Sequence, residues 1–548
     1  MIGLIVRIIL TVAEAISAPK PALLEVEAAR TLPVQFDGRV MPLDTYARRM
    51  VEEIAGARYG RPWHPVSLLL SWVFEPAKWL DAPVVRIGSN ALARAIHVTP
   101  VAGRGSYRRL ADSADLAQLV AEGRAALRRK EPISRLRKDA VELGDRLEAF
   151  AAIVAGVGPP LVPQRRGVQA RWMAPQHLHG YPQEALQAVQ DAWQAMGKAF
   201  LAGKADAFAA AVANFRQQVA HLPGSEYPTG ESLGREVFYN HLMPVRLSWM
   251  LMLAAVMLGL VSHGVRWRWF DVLSIVVQLA AFGVLTLGLL LRWDIAGRIP
   301  AANFYESLVL LGWGVGAFSL ISLAMLRDRT IPLNASFLAG VFLALADLLP
   351  IDPHIRPIAP VLRNTVWMSI HVPIIMLSYA VLAQALLLAH IQIGVLAFGR
   401  PKQTFSTKLD WQTYWCLMAG SLLLLVGILT GSIWANSSWG RYWGWDPKEV
   451  WSLAAFLGYM ALLHARRQGW LGTFGTAACS IAAIWLVVGT YLVVNFVLPI
   501  GLHSYAFGAE NIVLLWMALV AGAEALFVGV GYLRYGGKQR TTEPALQA

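Results

Sequence analysis

From Leu247 onward the chain is a succession of apolar runs, most of them near the ~20 residues that a membrane-spanning helix requires. This constrains the fold more than any other feature. A backbone in hydrocarbon must satisfy its N–H and C=O groups internally, and a run of that length does so as a helix. Leu247 to His263, Asp271 to Leu291, Tyr305 to Leu326 and the shorter Ser336 to Leu349 come first. Trp367 to Phe398, Trp411 to Trp434, Val450 to His464, Thr476 to Val497 and Ile512 to Leu533 follow. The expectation is an all-α, polytopic membrane domain of about nine helices over 247–535, with a short tail at 536–548.

The stretch from Pro19 to Arg246 has a different character. Charged residues make up 15% of the whole chain, against about 25% in a typical soluble protein, and the deficit lies in the apolar half. Leu43 to Ile54, Ala111 to Leu127, Pro182 to Met196 and Asp206 to Val219 carry apolar residues at helical spacing, and Pro159, Pro160 and Pro163 mark a linker. A mostly helical soluble domain is expected over 19–246. His177 and His179 are two apart, so a helix would turn them to different sides; a loop could converge them, but a solvated loop is the simpler reading.

Basic residues orient the helices. One set of alternating loops and the tail carries twelve Lys and Arg and the other six, which makes the first set, with the C-terminal tail, cytoplasmic. Domain 19–246 is then extracytoplasmic. Its export would use Met1 to Ala18, read as a signal peptide or signal anchor from the apolar run Ile8 to Val12 and the small residues Ala15-Ile16-Ser17-Ala18. Positive loops account for the net charge of +13 without a nucleic-acid partner, and none is expected. The two cysteines, Cys416 and Cys479, form no CxxC or CxxCH, which excludes a thioredoxin-type centre, a zinc knuckle and a self-attached c-type haem.

The segment Trp434 to Trp451 carries the chemistry. It holds Trp434, Trp439, Trp443, Trp445 and Trp451 with Tyr442 in what reads as one external loop, more aromatic residues than an interfacial belt needs. Gly440 and Gly444 admit close approach, and Asp446-Pro447 restarts a helix. The physical reading is an aromatic shelf for a large planar ligand.

This segment resembles the tryptophan-rich "WWD" signature of the haem-handling protein superfamily, in the form typical of the CcsA/ResC family of system II cytochrome c biogenesis. Pro300 to Leu308, with Asn303-Phe304-Tyr305-Glu306-Ser307, is similar to a second segment of that family. The resemblance covers about 271–533. It implies haem b as the cofactor, with His371 and His503 as paired external axial ligands of the iron and His464 as an intramembrane haem-binding histidine. The aromatic segment, through Trp434, Trp439, Gly440, Trp443, Trp445, Asp446, Pro447 and Trp451, would cradle the macrocycle. Arg441 is the expected propionate contact, because a guanidinium pairs well with carboxylate; alternatively it and Lys448 merely keep the loop in water. His464 has an alternative as an interfacial histidine beside Arg466. His390 lies at similar depth without a family counterpart.

The function so implied is presentation of reduced haem for covalent attachment to apocytochrome c bearing CxxCH, as part of a holocytochrome c synthase. The implied partners are a ResB/CcsB-type membrane subunit, which would supply a second intramembrane histidine, and thiol-reducing factors. The implied location is the bacterial plasma (inner) membrane. A haem exporter without synthase activity and a structural membrane scaffold are the competing readings. Leu32 to Leu43 resembles segments of fused relatives, which leaves the role of 19–246 open.

Overall fold

The computed structural model describes residues 26–56, 64–165, 171–224, 227–228, 230–265, 267–326, 330–349, 351–358, 366–399, 403–496 and 510–542. The chain divides into two compact units, Met1–His241 and Leu242–Ala548.

In the second unit the described helices are α1 (Pro244–Val265), α2 (Arg268–Ala296), α3 (Phe304–Leu326), α4 (Thr330–Leu348), α5 (Val366–Phe398), α6 (Gln403–Trp439), α7 (Pro447–Arg467), α8 (Thr473–Val488) and α9 (Glu510–Thr542). Each matches one of the expected runs in order. The protein is an all-α polytopic integral membrane protein: among the described residues eight helices are long and apolar enough to cross a bilayer. The ninth, α7, has 21 residues, or ~31 Å at 1.5 Å per residue, but carries Lys448 and Glu449 in its first turn and Arg466 and Arg467 in its last. Its apolar stretch is therefore confined to its middle.

Local signals set the helix ends. Gly297 adopts φ 62° just after α2, the left-handed cap that favours glycine. Asn303 starts α3, its Oδ1 accepting from the Glu306 amide at 2.8 Å. Asp446 and Glu449 form a capping box at the start of α7, with Pro447 in the first turn.

The core of this unit is built on close approach of α5 to α6. A Cβ added at Gly420 would fall 2.6 Å from Leu382 Cδ2, and one at Gly427 would run into Ile375. Ser378 Oγ crosses the same interface to donate to the Gly420 carbonyl at 2.8 Å. Small residues that let two backbones touch are a common means of helix association in lipid, where apolar burial alone gives little driving force. α5 has 33 residues and α6 has 37, so at ~50 and ~55 Å both outrun the ~30 Å hydrocarbon core.

The first unit combines helices with two short hairpins. Pro33–Phe36 pairs antiparallel with Arg39–Pro42, and Pro83–Arg86 with Arg104–Ser106. Asp37 and Gly38 both have positive φ, 52° and 76°, as a type I′ hairpin turn demands. Leu43–Ala55, Ala114–Arg128, Gln183–Leu201 and Ala205–Ala220 lie where helical spacing placed them, and Arg135–Val154 adds a long helix not singled out from sequence. Trp72, Trp79, Phe150, Phe200, Phe208 and Phe215 fill the core. Beside it Arg30 reaches the Nε2 atoms of both His64 and His241. His177 and His179 are exposed in a loop.

Candidate functional site

Because the helices alternate in direction, the N-terminal ends of α3, α5 and α7 meet the C-terminal ends of α6 and α8 at one end of the bundle. There two clefts open, with about 570 and 720 Å³ of empty space counting their mouths. The first lies between α6, the 440–446 turn and α7, lined by Gly431, Tyr442, Trp443 and Ser452 among others. The second is bordered by Asn303, Phe304 and Ser307 of α3, Trp434 of α6, and Tyr491 and Asn495 just beyond α8. The two share a wall: His371, Ile375, Tyr379, Lys448 and Thr490.

His371 is held at that wall by backbone. Its Nδ1 lies 2.8 Å from the Gly427 carbonyl, so Nδ1 carries the proton and donates, and Nε2 carries the ring's lone pair. Tying one imidazole nitrogen to a carbonyl is how proteins orient a histidine whose other nitrogen ligates a metal. The ring stacks at 5.8 Å and 28° on Trp434, which is buried and meets Trp439 edge-on at 5.1 Å. Gly431 supplies the room: a Cβ there would lie 2.6 Å from His371 Cε1. Pro373 deletes one helical hydrogen bond of α5 just past this histidine.

The aromatic segment is not a single loop. α6 continues through Trp439, because Asn436, Ser437 and Ser438 accept helical geometry and Ser437 Oγ donates to the Trp434 carbonyl at 2.8 Å. Only 440–446 links α6 to α7. Trp434 and Trp443 line the second and first cleft respectively. Trp445, 74% exposed with φ 58°, stands edge-on to Trp443 at 6.0 Å. Trp451 packs on the bare backbone of Gly489, where a Cβ would lie 2.6 Å from its Cζ3. Gly440 makes the first bend of the turn with φ 70°.

Two acidic residues hold the turn. Asp446 Oδ1 accepts from the Lys448 amide at 2.9 Å, and Glu449 Oε2 accepts from the Gly444 and Asp446 amides at 2.7 and 3.1 Å. Arg441 is exposed, and its guanidinium fills the space that a side chain at Gly444 would need. It is not among the residues lining either cleft.

The Asn303 to Ser307 segment forms the floor of the second cleft. Glu306 is fully buried, and its carboxylate takes Arg292 Nε at 2.8 Å, Arg298 Nη1 at 3.0 Å and the Ala302 amide at 2.6 Å. The two arginines also donate to the Pro353 and Arg356 carbonyls, tying 351–358 to this end of the bundle. Ser307 Oγ sits 2.6 Å from the Tyr491 hydroxyl. Sequence did not single out Tyr491 or Thr490. They reach the clefts from a π turn, Gly489–Val493, which interrupts the helix after α8 and has no simple sequence signal.

The remaining histidines lie elsewhere. His464 is exposed in the last turn of α7, edge-on to Trp470 at 6.5 Å, while Arg466 beside it binds Asp410 of α6. His390 stacks on Phe527 of α9 at 5.4 Å, with Nε2 3.7 Å from Glu524 Oε1. His503 falls outside the described residues, as do 1–25.

Residues 301–503 match the family model described as "Cytochrome C assembly protein". A relative named "Cytochrome c biogenesis protein CcsA", from Prochlorococcus marinus (strain MIT 9312), is 32% identical over 315 residues, 51% of this chain and 95% of the relative. A protein of that name from Synechococcus sp. (strain RCC307) is 34% identical over 271 residues, 42% of this chain and 85% of the relative. "Protein NrfI" of Wolinella succinogenes is 29% identical over 501 residues, which cover 86% of this chain; the chain spans about half, 53%, of that longer protein. Among solved structures, one titled "Cytochrome c Heme Lyase CcmF" aligns at a TM-score of 0.38 and 18% identity, over 57% of this chain and 53% of that one.

Proposed function

The chain belongs to the cytochrome c assembly family, and from that premise we propose that it binds haem at the two-cleft end of its bundle and presents it for covalent attachment to apocytochrome c. The finer assignment is CcsA-type, acting with a ResB/CcsB-type membrane subunit and thiol-reducing factors at a bacterial inner membrane. Domain 19–246 and the site would then face away from the cytoplasm.

One observation carries this reading. His371 is fixed by the Gly427 carbonyl in the tautomer whose Nε2 can ligate iron, at the wall common to both clefts and against Trp434. A flat, largely apolar macrocycle suits such aromatic and aliphatic walls. Bound haem b supplies an iron open to axial nitrogen ligands and two vinyl groups able to take up thiols. Each S–H of the CxxCH segment adds across one vinyl C=C, so the substrate provides the nucleophile and no group of this chain has to. His371 holds, Trp434 and Trp443 flank, and the capped 440–446 turn keeps that flank in place. Holding two reactants together can lower a barrier by several kcal/mol. His503 would be a second histidine to hold the haem, and His464 would bind haem at another point on its path.

The test is co-expression with an apocytochrome c and the partner subunit in a bacterial host lacking its own assembly genes. Holocytochrome that stains for covalent haem, and that is lost with His371→Ala, supports the reading. Haem accumulating outside the cytoplasm without covalent product would point to an exporter. Neither product would leave a scaffold.

A further inference from the structure

The reaction proposed above joins two reactants, a macrocycle and a peptide, and this end of the bundle has two clefts with one wall in common. Their hydrogen-bonding groups differ. In the first cleft the Glu449 carboxylate is taken up by the Gly444 and Asp446 amides, and Ser452 Oγ donates to the Glu449 carbonyl at 2.9 Å. In the second, Asn495 is 4% exposed, and its Nδ2 donates to the Tyr491 carbonyl at 2.7 Å. Exchanging the two amide atoms would set oxygen against oxygen, so this bond fixes which of them is Oδ1. That Oδ1 has no hydrogen-bond partner among the described residues, and a buried acceptor without a donor is costly.

Two more residues of the second cleft extend this set. Asn303 uses its Oδ1 on the Glu306 amide, while its Nδ2 makes no hydrogen bond among the described residues. Ser307 donates its only hydroxyl proton to the Phe304 carbonyl at 2.8 Å, so in the 2.6 Å pair with Tyr491 it is Tyr491 that donates, and the phenol oxygen keeps its lone pairs. That pair ties α3 to the turn leading to Asn495, and Phe304 meets Phe496 edge-on at 5.3 Å beside it. The cleft thus has an open donor on α3 and open acceptors opposite. Haem answers only the donor: its ionised carboxylates accept hydrogen bonds, and its methyl and vinyl edges supply no proton to Asn495. A peptide backbone answers both, with an N–H and a C=O on each residue.

We propose that the second cleft binds the apocytochrome segment by its backbone, Asn495 Oδ1 accepting from a peptide N–H and Asn303 Nδ2 donating to a peptide carbonyl. The first cleft and the shared wall, with Trp443 and Trp434, are then left to the macrocycle. This rests on the haem-attachment reading above and gives the second substrate its place in it. Both asparagines are binding residues for the peptide. Main-chain contacts ignore side chains, so the two residues between the cysteines of CxxCH are free to vary.

The probe is a fluorescently labelled CxxCH peptide with serine in place of both cysteines, so that it binds without reacting. Its affinity for the full-length chain, detergent-purified with the partner subunit and haem, is read from fluorescence anisotropy, and the haem from the absorption spectrum of the same sample. Asn495→Leu should weaken the peptide about tenfold and leave the haem band as in wild type, which also shows the variant to be folded. Asn303→Asp keeps the α3 cap but loses the donor, and should weaken the peptide likewise. In a series of peptides N-methylated at one amide each, one should bind wild type about tenfold more weakly and lose nothing further with Asn495→Leu. Unchanged peptide affinity in Asn495→Leu, or a haem band lost while peptide binding stays, would overturn the inference. If Asn495→Leu does not fold, the methylated series on wild type decides, and no loss at any amide overturns it. A wild-type protein with a haem band but no affinity for the peptide overturns this inference alone; one with no haem band overturns the haem reading and this inference with it.

Discussion

His371 lies against the bare backbone of Gly431, where a Cβ would come within 2.6 Å of Cε1 and 2.8 Å of Nδ1. Four residues earlier on the same face of α6, Gly427 offers the carbonyl that receives the Nδ1 proton. Two glycines one helical turn apart thus place and orient one histidine. Gly431→Ala should push the ring off this carbonyl, and overpacking of this kind costs about 1–3 kcal/mol. Haem retained after purification should fall several-fold while the helical circular dichroism signal stays. Full retention in Gly431→Ala would show that the ring does not need this seat.

The Glu306 cluster is a structural prediction. Its carboxylate is buried between Arg292 and Arg298, and neutralising it leaves two guanidinium groups in a site built for an anion. Removing one partner of a buried ion pair costs about 3–5 kcal/mol. Glu306→Gln should lower the thermal midpoint of the detergent-solubilised protein markedly, and Glu306→Asp less so. A midpoint equal to wild type would contradict the assigned role.

For the 440–446 turn, Glu449→Gln weakens the contacts from the Gly444 and Asp446 amides, and Asp446→Ala removes the cap of α7. Each should cost about 1 kcal/mol of local stability. The reading is hydrogen exchange: amides of 440–449 should exchange faster in both variants while those in the middle of α6 are unchanged. Unaltered exchange in the turn would mean that other contacts hold it.

The first unit, Met1–His241, has its own pH signature. Burial, reinforced by the charge of Arg30, lowers the His64 pKa to about 4 from an ordinary 6.5. The fold keeps this imidazole neutral, so on acidification the unfolded chain takes up its proton first. Stability contributed by His64 is complete above about pH 6.5 and is lost as pH falls toward 4. Melts of the full chain should therefore show a shallower decline across that window in His64→Gln than in wild type. Equal slopes would remove His64 as a cause.

These contacts differ in how far sequence reveals them. The membrane helices were legible because apolar runs of that length have one solution in lipid, and α7 still read as a helix because its charges sit at its two ends. The end of α6 was misplaced, since Asn436, Ser437 and Ser438 look like loop residues until Ser437 is seen bonding back to Trp434. His371 could be picked out only through the family resemblance. Nothing local says that it will meet Gly427 and Gly431, which depends on how closely α5 and α6 cross. Thr490 and Tyr491 were invisible because they depend on a π turn. Lys448 was visible but unranked, since only the clefts separate it from Arg441. In the first unit the Asp37-Gly38 pair was a hairpin signal that helical periodicity passes over.

The most direct test of the central claim is the absorption spectrum of the reduced, detergent-purified protein with its partner subunit present, for wild type, His371→Ala and His503→Ala. A low-spin spectrum of the bis-histidine type in wild type, weakened in each variant and restored to His371→Ala by added imidazole, is the predicted result. A wild-type protein from a haem-replete host with no haem band, or a band indifferent to His371, would contradict it.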